Sequence, residues 1–171
     1  MDETNKKCIK TGHRSMVNVV LLNIRKRAKD ICSTSKSPEA QAKRKSFVQL
    51  GKCIHSGGDK LKQCIASSKD KIVTIENAPT EKRLGLLCCE LKALKGCLFS
   101  TLTAQSGCDS ESSAEKMRAF VATFGGGHLS TACADHVSGN KCSGLSYPRK
   151  KKSQHTPKSF MMPVLNVLNS L

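Results

Sequence analysis

Tryptophan is absent from this chain, tyrosine occurs once, and phenylalanine appears five times in 171 residues. Any core must therefore be built from Leu, Val, Ile and Ala, and a chain of this length buries roughly 70% of its unfolded surface in one domain. Long apolar runs are also missing: Val17, Val19, Val20, Leu21 and Leu22 fall far short of the ~20 residues that cross a bilayer. No transmembrane segment is expected. The opening residues MDETNKKCIK lack the basic start and apolar run of a secretory leader. The patterns G-x-S-x-G, H-E-x-x-H, the P-loop and C-x-x-C do not occur, which removes the usual anchors for hydrolase, metalloprotease, nucleotide and redox chemistry. No catalytic residue, metal or cofactor is expected.

Acidic side chains are scarce as well. Thirteen Asp and Glu face twenty-nine Lys and Arg, for a net charge of +16. The excess is uneven: residues 1–87 carry nineteen basic and eight acidic side chains, whereas 88–142 carry five of each. A second basic cluster, Arg149, Lys150, Lys151, Lys152 and Lys158, stands near the C-terminus. Such a balance points to polyanionic partners and says little about fold.

Cysteine, by contrast, is abundant, with ten in the chain. Reducing cytosol seldom tolerates that density, and an even count fits complete pairing in a secreted, extracellular setting. Cys8, Cys32, Cys53, Cys64, Cys88, Cys89, Cys97, Cys108, Cys133 and Cys142 are all expected in disulfides. Their spacing repeats. Cys53 to Cys64 and Cys97 to Cys108 are both eleven positions; Cys64 to Cys88 is twenty-four, Cys108 to Cys133 twenty-five, and Cys8 to Cys32 twenty-four. Cys88 to Cys97 and Cys133 to Cys142 are both nine. Apolar residues keep the same register: Phe47, Leu50 and Ile54 correspond to Leu91, Leu94 and Leu98, and Ile72 and Ile75 to Met117 and Phe120. Two full units, Cys53–Cys88 and Cys97–Cys133, follow, with a period near that of helical arrays. The chain opens inside an earlier unit and Cys142 begins a unit never completed, so a truncated or mis-spliced segment of a longer secreted protein is expected, its leader missing with the rest.

Within the units the apolar period is helical. Val17, Val20, Leu21, Ile24, Ala28 and Ile31 form one stripe, and Leu84, Leu87, Leu91, Leu94 and Leu98 another. A third, Met117, Phe120, Val121 and Phe124, runs into Gly125, Gly126 and Gly127, a stop signal. Ser37, Pro38 and Glu39 make a helix start, and Gly57 with Gly58 a helix end. KIVTIEN over 71–77 could be a strand, but its place in the repeat predicts helix. On one continuous helix Cys88 and Cys97 lie roughly 13 Å apart, beyond the ~7 Å Cα limit of a disulfide. Each must reach a different neighbour, stapling the helix on both flanks, while Cys89 is left for an adjoining unit or another chain. Connectivity is not fixed by spacing.

Two clusters could bind ligands. His128, Cys133, His136 and Cys142 offer zinc-type donors within fifteen residues, but their spacing is loose and disulfides already account for the sulfurs. Arg25, Lys26, Arg27 and Lys29, with Lys43, Arg44 and Lys45 one helix later, resemble a heparin-binding order, beside the simpler reading of a solvated helix face. No aromatic residue is interleaved with them, which disfavours stacking on nucleic acid. PRKKK over 148–152 reads as a mobile basic tail. The apolar ending FMMPVLNVLNSL could pack on the domain or on another surface.

The segment CELKALKGCLFSTLTAQSGC, followed by MRAFVATFGGG and Cys133, resembles the cysteine-rich hemolymph glycoproteins of insects and related secreted arthropod proteins. The likeness covers residues 47–142 and implies secretion, helices and disulfides, with no catalytic residues to carry over. The chain departs from it in lacking any N-x-[ST] sequon and in its strong positive charge.

The expectation is an all-α protein of disulfide-stapled tandem helical repeats. Residues 1–46 form a partial basic unit, 47–142 two cysteine-rich units, and 143–171 a poorly ordered basic tail with an apolar end. Its role is that of a secreted, non-enzymatic binding protein for an unknown protein or small apolar ligand. The alternative is a binder of acidic polysaccharide that acts through the basic N-terminal helices; no specific nucleic acid is expected.

Overall fold

The computed structural model describes residues 11–105, 108, 115 and 131–171. The fold is all-α, and no strand occurs among the described residues. Among the described residues the longer helices follow in order: α1 (Thr11–Ile31), α2 (Pro38–Ser56), α3 (Gly58–Ile75), α4 (Thr80–Thr103) and α5 (Met161–Asn169). A short helical stretch over 131–137 precedes a C-terminal strap, residues 143–160, that leads into α5.

Ser37 starts α2 as read from sequence. Its backbone is extended, and its Oγ accepts a hydrogen bond from the Ala40 N–H at 3.3 Å, with Pro38 in the first turn. That pairing satisfies one of the orphan donors of the helix start. Gly57 closes α2, its N–H donating to the Cys53 carbonyl. Gly58, expected in the same stop, instead opens α3. Residues 71–75 lie within α3, so KIVTIEN starts helical, as its register demanded.

Helices α3 and α4 pack against each other as the centre of the fold, joined by a short turn after Ile75. Ile72 and Ile75, near the end of α3, pack with Leu86 and Leu87, in the first half of α4. Leu61, near the start of α3, packs with Leu102, near the end of α4. The pairs therefore run antiparallel and make two small cores, one at each end. The first adds Val164, Val167 and Leu168 from α5, with Tyr147 and Phe160 against it. The second adds Leu50 and Cys53 from α2, with Leu98, Phe99 and Cys108.

Over residues 86–90, α4 is buried on every side: Leu86, Leu87, Cys88, Cys89 and Glu90 are all inaccessible. A leucine stripe alone would leave one face wet. The opposite face is covered by the 131–142 segment, which two disulfides clamp down. Gly85 allows the close approach, since a Cβ there would stand 3.3 Å from the His136 Nδ1. Gly139, at φ 57°, then takes the left-handed conformation that turns the chain away after the 131–137 stretch.

The 143–171 segment is not the poorly ordered tail its charge predicted. Val164, Val167 and Leu168 are buried in the first core, and Arg83 donates to the carbonyls of Ala78, Glu76 and Ser170 at 2.9, 3.1 and 2.8 Å. Five cations masked an apolar anchor a few residues beyond them. The boundary drawn between residues 46 and 47 falls inside α2, a single continuous helix, so it marks no structural unit. The stripe Met117, Phe120, Val121, Phe124 and the glycines after it lie outside the described residues.

Candidate polyanion interface

Among the described residues eight cysteines form four disulfides: Cys53–Cys108, Cys64–Cys97, Cys88–Cys133 and Cys89–Cys142. Cys88 and Cys97 do reach different neighbours, and α4 is stapled on both flanks. The pairing is reciprocal. The first cysteine of the earlier unit bonds the second of the later one, the second bonds the first, and the third bonds the third. Cys89 joins Cys142 within the same chain. Cys32 departs from the expectation: it is exposed and unbridged. It stands just beyond the end of α1, away from the α3–α4 pair that aligns the other sulfurs. Cys8 lies outside the described residues. Cys133 and Cys142, considered above as zinc donors, have their sulfurs committed to disulfides, and His128 lies outside the described residues. No group of three or more His, Cys, Asp or Glu that could hold a metal occurs among the described residues.

The basic helices meet as a hairpin, α1 against α2. Its loop is knit by serines: the Ser35 N–H donates to Ser33 Oγ and the Ser37 N–H to Ser35 Oγ, both at 3.2 Å. Arg44 reaches back to the carbonyls of Ser33 and Ser35, the second at 2.8 Å. Its guanidinium is thus spent on holding the hairpin, which removes it from the set of free cations. Lys43 and Lys45 on either side are exposed, as are Arg25, Lys26 and Lys29 on α1. Lys29 stands three residues from Lys26 and four from Arg25, so its side chain neighbours both on the same side of α1. The side chain of Arg27 lies outside the described residues, with those of Val17 and Val20. Of the remaining α1 stripe, Leu21, Ile24 and Ile31 are half-buried and Ala28 is exposed, so α1 rests on α2 without entering either core.

Lys45 leads to a feature that sequence reading missed. With Lys52, seven residues on along the same face of α2, it lines an open cavity of about 710 Å³ whose wall includes Val48, Gln49, Ser56 and the Cys53–Cys108 disulfide. The i,i+7 spacing of the two lysines could have flagged Lys52; the wall opposite could not, because it arrives through a bridge spanning 55 residues. Two ammonium groups over a partly apolar floor suit an anion carried on a carbon ring or chain.

A separate charged cluster sits deep in the fold. Glu90 is 2% exposed, and its Oε2 lies 3.4 Å from the Lys71 Nζ, which reaches it from the solvent edge. The Tyr147 phenol neighbours the same carboxylate, and Lys71 also stands 5.6 Å from its ring centre. Burial first, then the adjoining Glu90 carboxylate with its negative charge, push the Tyr147 phenol well above its ordinary range. This cluster ties the C-terminal strap to both central helices, and its geometry is structural.

No protein-family model matches the chain, and no curated protein or solved structure is significantly similar to it. What the fold defines is a disulfide-rich all-α protein. Among its described residues no helix is long and apolar enough to cross a membrane.

Proposed function

We infer that this is a secreted, non-enzymatic protein that binds acidic polysaccharide through α1 and α2. Four disulfides are stable in an oxidising compartment and support the extracellular placement. There the abundant polyanions are glycans. The observation that carries the ligand class is the exposed set Arg25, Lys26, Lys29, Lys43 and Lys45 on a hairpin locked by Arg44, continuous with Lys52 at the cavity. Fixed cations lose less entropy on binding than mobile ones. The reciprocal disulfides support descent from a duplicated helical unit, and the resemblance to the insect hemolymph glycoproteins belongs to the same proposal.

The test is heparin affinity of the oxidised protein as a function of salt. Replacing Arg25, Lys26 and Lys29 by Glu should move elution to lower salt and make log K against log salt shallower by about three, one for each lost contact. Unchanged elution of that variant would overturn the assignment.

A further inference from the structure

The C-terminal basic run is held on the protein surface. Residues 149–158 contain five Lys or Arg and no acid. They lie along the outer side of α3, fixed at several points. Gln154 Nε2 donates to the Val73 carbonyl at 2.6 Å, and Asn77 Nδ2 donates to the Arg149 carbonyl at 3.2 Å and to Gln154 Oε1 at 2.9 Å. Thr156 Oγ1 donates to Asp70 Oδ1 at 2.6 Å, with Lys150 Nζ 3.6 Å from the same oxygen. Lys69 Nζ donates to the Lys158 carbonyl at 3.4 Å, which adds a sixth cation from α3 itself. Asp70 and Lys150 neutralise each other. Arg149, Lys151, Lys152 and Lys158 remain exposed on a backbone that the polar contacts hold in place.

We propose that this strap, with Lys69, is a second binding surface for sulfated polysaccharide, which makes the protein bivalent toward one long chain. The inference rests on the glycan reading of α1 and α2 for its ligand class, though not for its site. Charge and preorganisation supply attraction. Of the intervening residues, Ser153, Gln154, His155 and Thr156 are polar and Pro157 is half-buried, so the strap itself offers no large apolar side chain to a lipid surface. The aromatic rings that flank the strap are engaged elsewhere, Tyr147 beside Glu90 and Lys71 and Phe160 against the first core, which disfavours stacking on bases. The two surfaces sit toward opposite ends of α3. Lys45 and Lys52 line the cavity beside Cys53, whose Gly57 partner precedes the helix, while the strap bonds at residues 69–77. Thirteen helical residues from 57 to 70 correspond to about 20 Å along the axis. An extended polysaccharide longer than that reaches both, and the second contact is then intramolecular.

The test compares heparin tetrasaccharide with long heparin on the intact oxidised protein. Wild type should prefer the long chain by on the order of a hundredfold. Lys151→Glu with Lys152→Glu, neither of which has a side-chain role in holding the strap, should remove most of that preference and make the salt slope shallower by about two. If this variant keeps both the preference and the slope, the second surface is overturned; should the α1 triple variant lose affinity in the same series, the first reading still stands. If the α1 variant is unchanged while the strap variant loses heparin, the strap is the glycan site and the first reading falls. A strap variant that loses capture by phosphatidylserine vesicles or duplex DNA while keeping heparin would overturn the glycan assignment. Circular dichroism of both variants checks that the helices are intact.

Discussion

Removing Cys64–Cys97 should cost less than its span suggests, because Cys53–Cys108 encloses it. The two bridges close loops of 33 and 55 residues, one inside the other. Taken alone, the inner loop would restrict the unfolded chain by about 3.7 kcal/mol. With the outer bridge intact, however, Cys64 and Cys97 stay joined through the two eleven-residue arms that lead out to it. Two parallel connections act like one loop of about 14 residues, so the loss on cutting the inner bridge falls to about 3 kcal/mol. Cutting the outer bridge alone releases only the two arms in series and costs about 3.5 kcal/mol. Cutting both removes the whole constraint, about 7 kcal/mol, which exceeds the sum of the single losses by roughly 0.5–1 kcal/mol. The assay is guanidinium unfolding of the three Cys→Ala pair variants, with the slope rising as the unfolded chain expands. Single losses below about 1 kcal/mol, or a double loss no greater than the sum, would refute the argument and place the effect of these bridges in native contacts.

Three further outcomes follow from the fold. Lys71→Met strands the buried Glu90 carboxylate and should cost about 3 kcal/mol, and adding Glu90→Gln should return most of it; strict additivity in the double-mutant cycle would show that the pair is not coupled. Because the Tyr147 phenol is pushed up in the folded state, the native form keeps its proton where the unfolded form has lost it. Its contribution is complete below about pH 10, the ordinary tyrosine value, and declines as pH rises above that. The chain has one tyrosine and no tryptophan, so phenolate absorbance reads this group directly; a normal titration midpoint would contradict the buried contact with Glu90. Leu87→Ala, at a fully inaccessible position on α4, should cost about 2–5 kcal/mol, whereas Cys32→Ser, exposed and unbridged, should stay within about 0.5 kcal/mol of wild type by thermal unfolding.

Helices were legible because their signals are local. The Ser37–Pro38 start, the Leu84–Leu98 stripe and the separation of Cys88 from Cys97 depend only on neighbours along the chain and on the rise of a helix. The same local view misjudged the C-terminal segment, where four consecutive cations outweighed the short apolar period of Val164, Val167 and Leu168 that anchors it. It also overcounted the free cations of the N-terminal patch, since Arg44 looks like Lys43 and Lys45 until its carbonyl partners in the serine loop are seen. Lys52 was passed over because its importance comes from a cavity whose far wall is carried by Cys108.

The sequence by itself determined that the chain is helical, cross-linked, strongly basic and without a long apolar helix, because composition and short periodicities set those properties within a few turns of chain. Only the tertiary structure decided which sulfur meets which, that Cys32 meets none among them, and that the basic strap lies fixed along α3. Those outcomes depend on contacts between residues tens of positions apart. The antiparallel packing of α3 on α4 brings them together, and no local pattern encodes the distance between them.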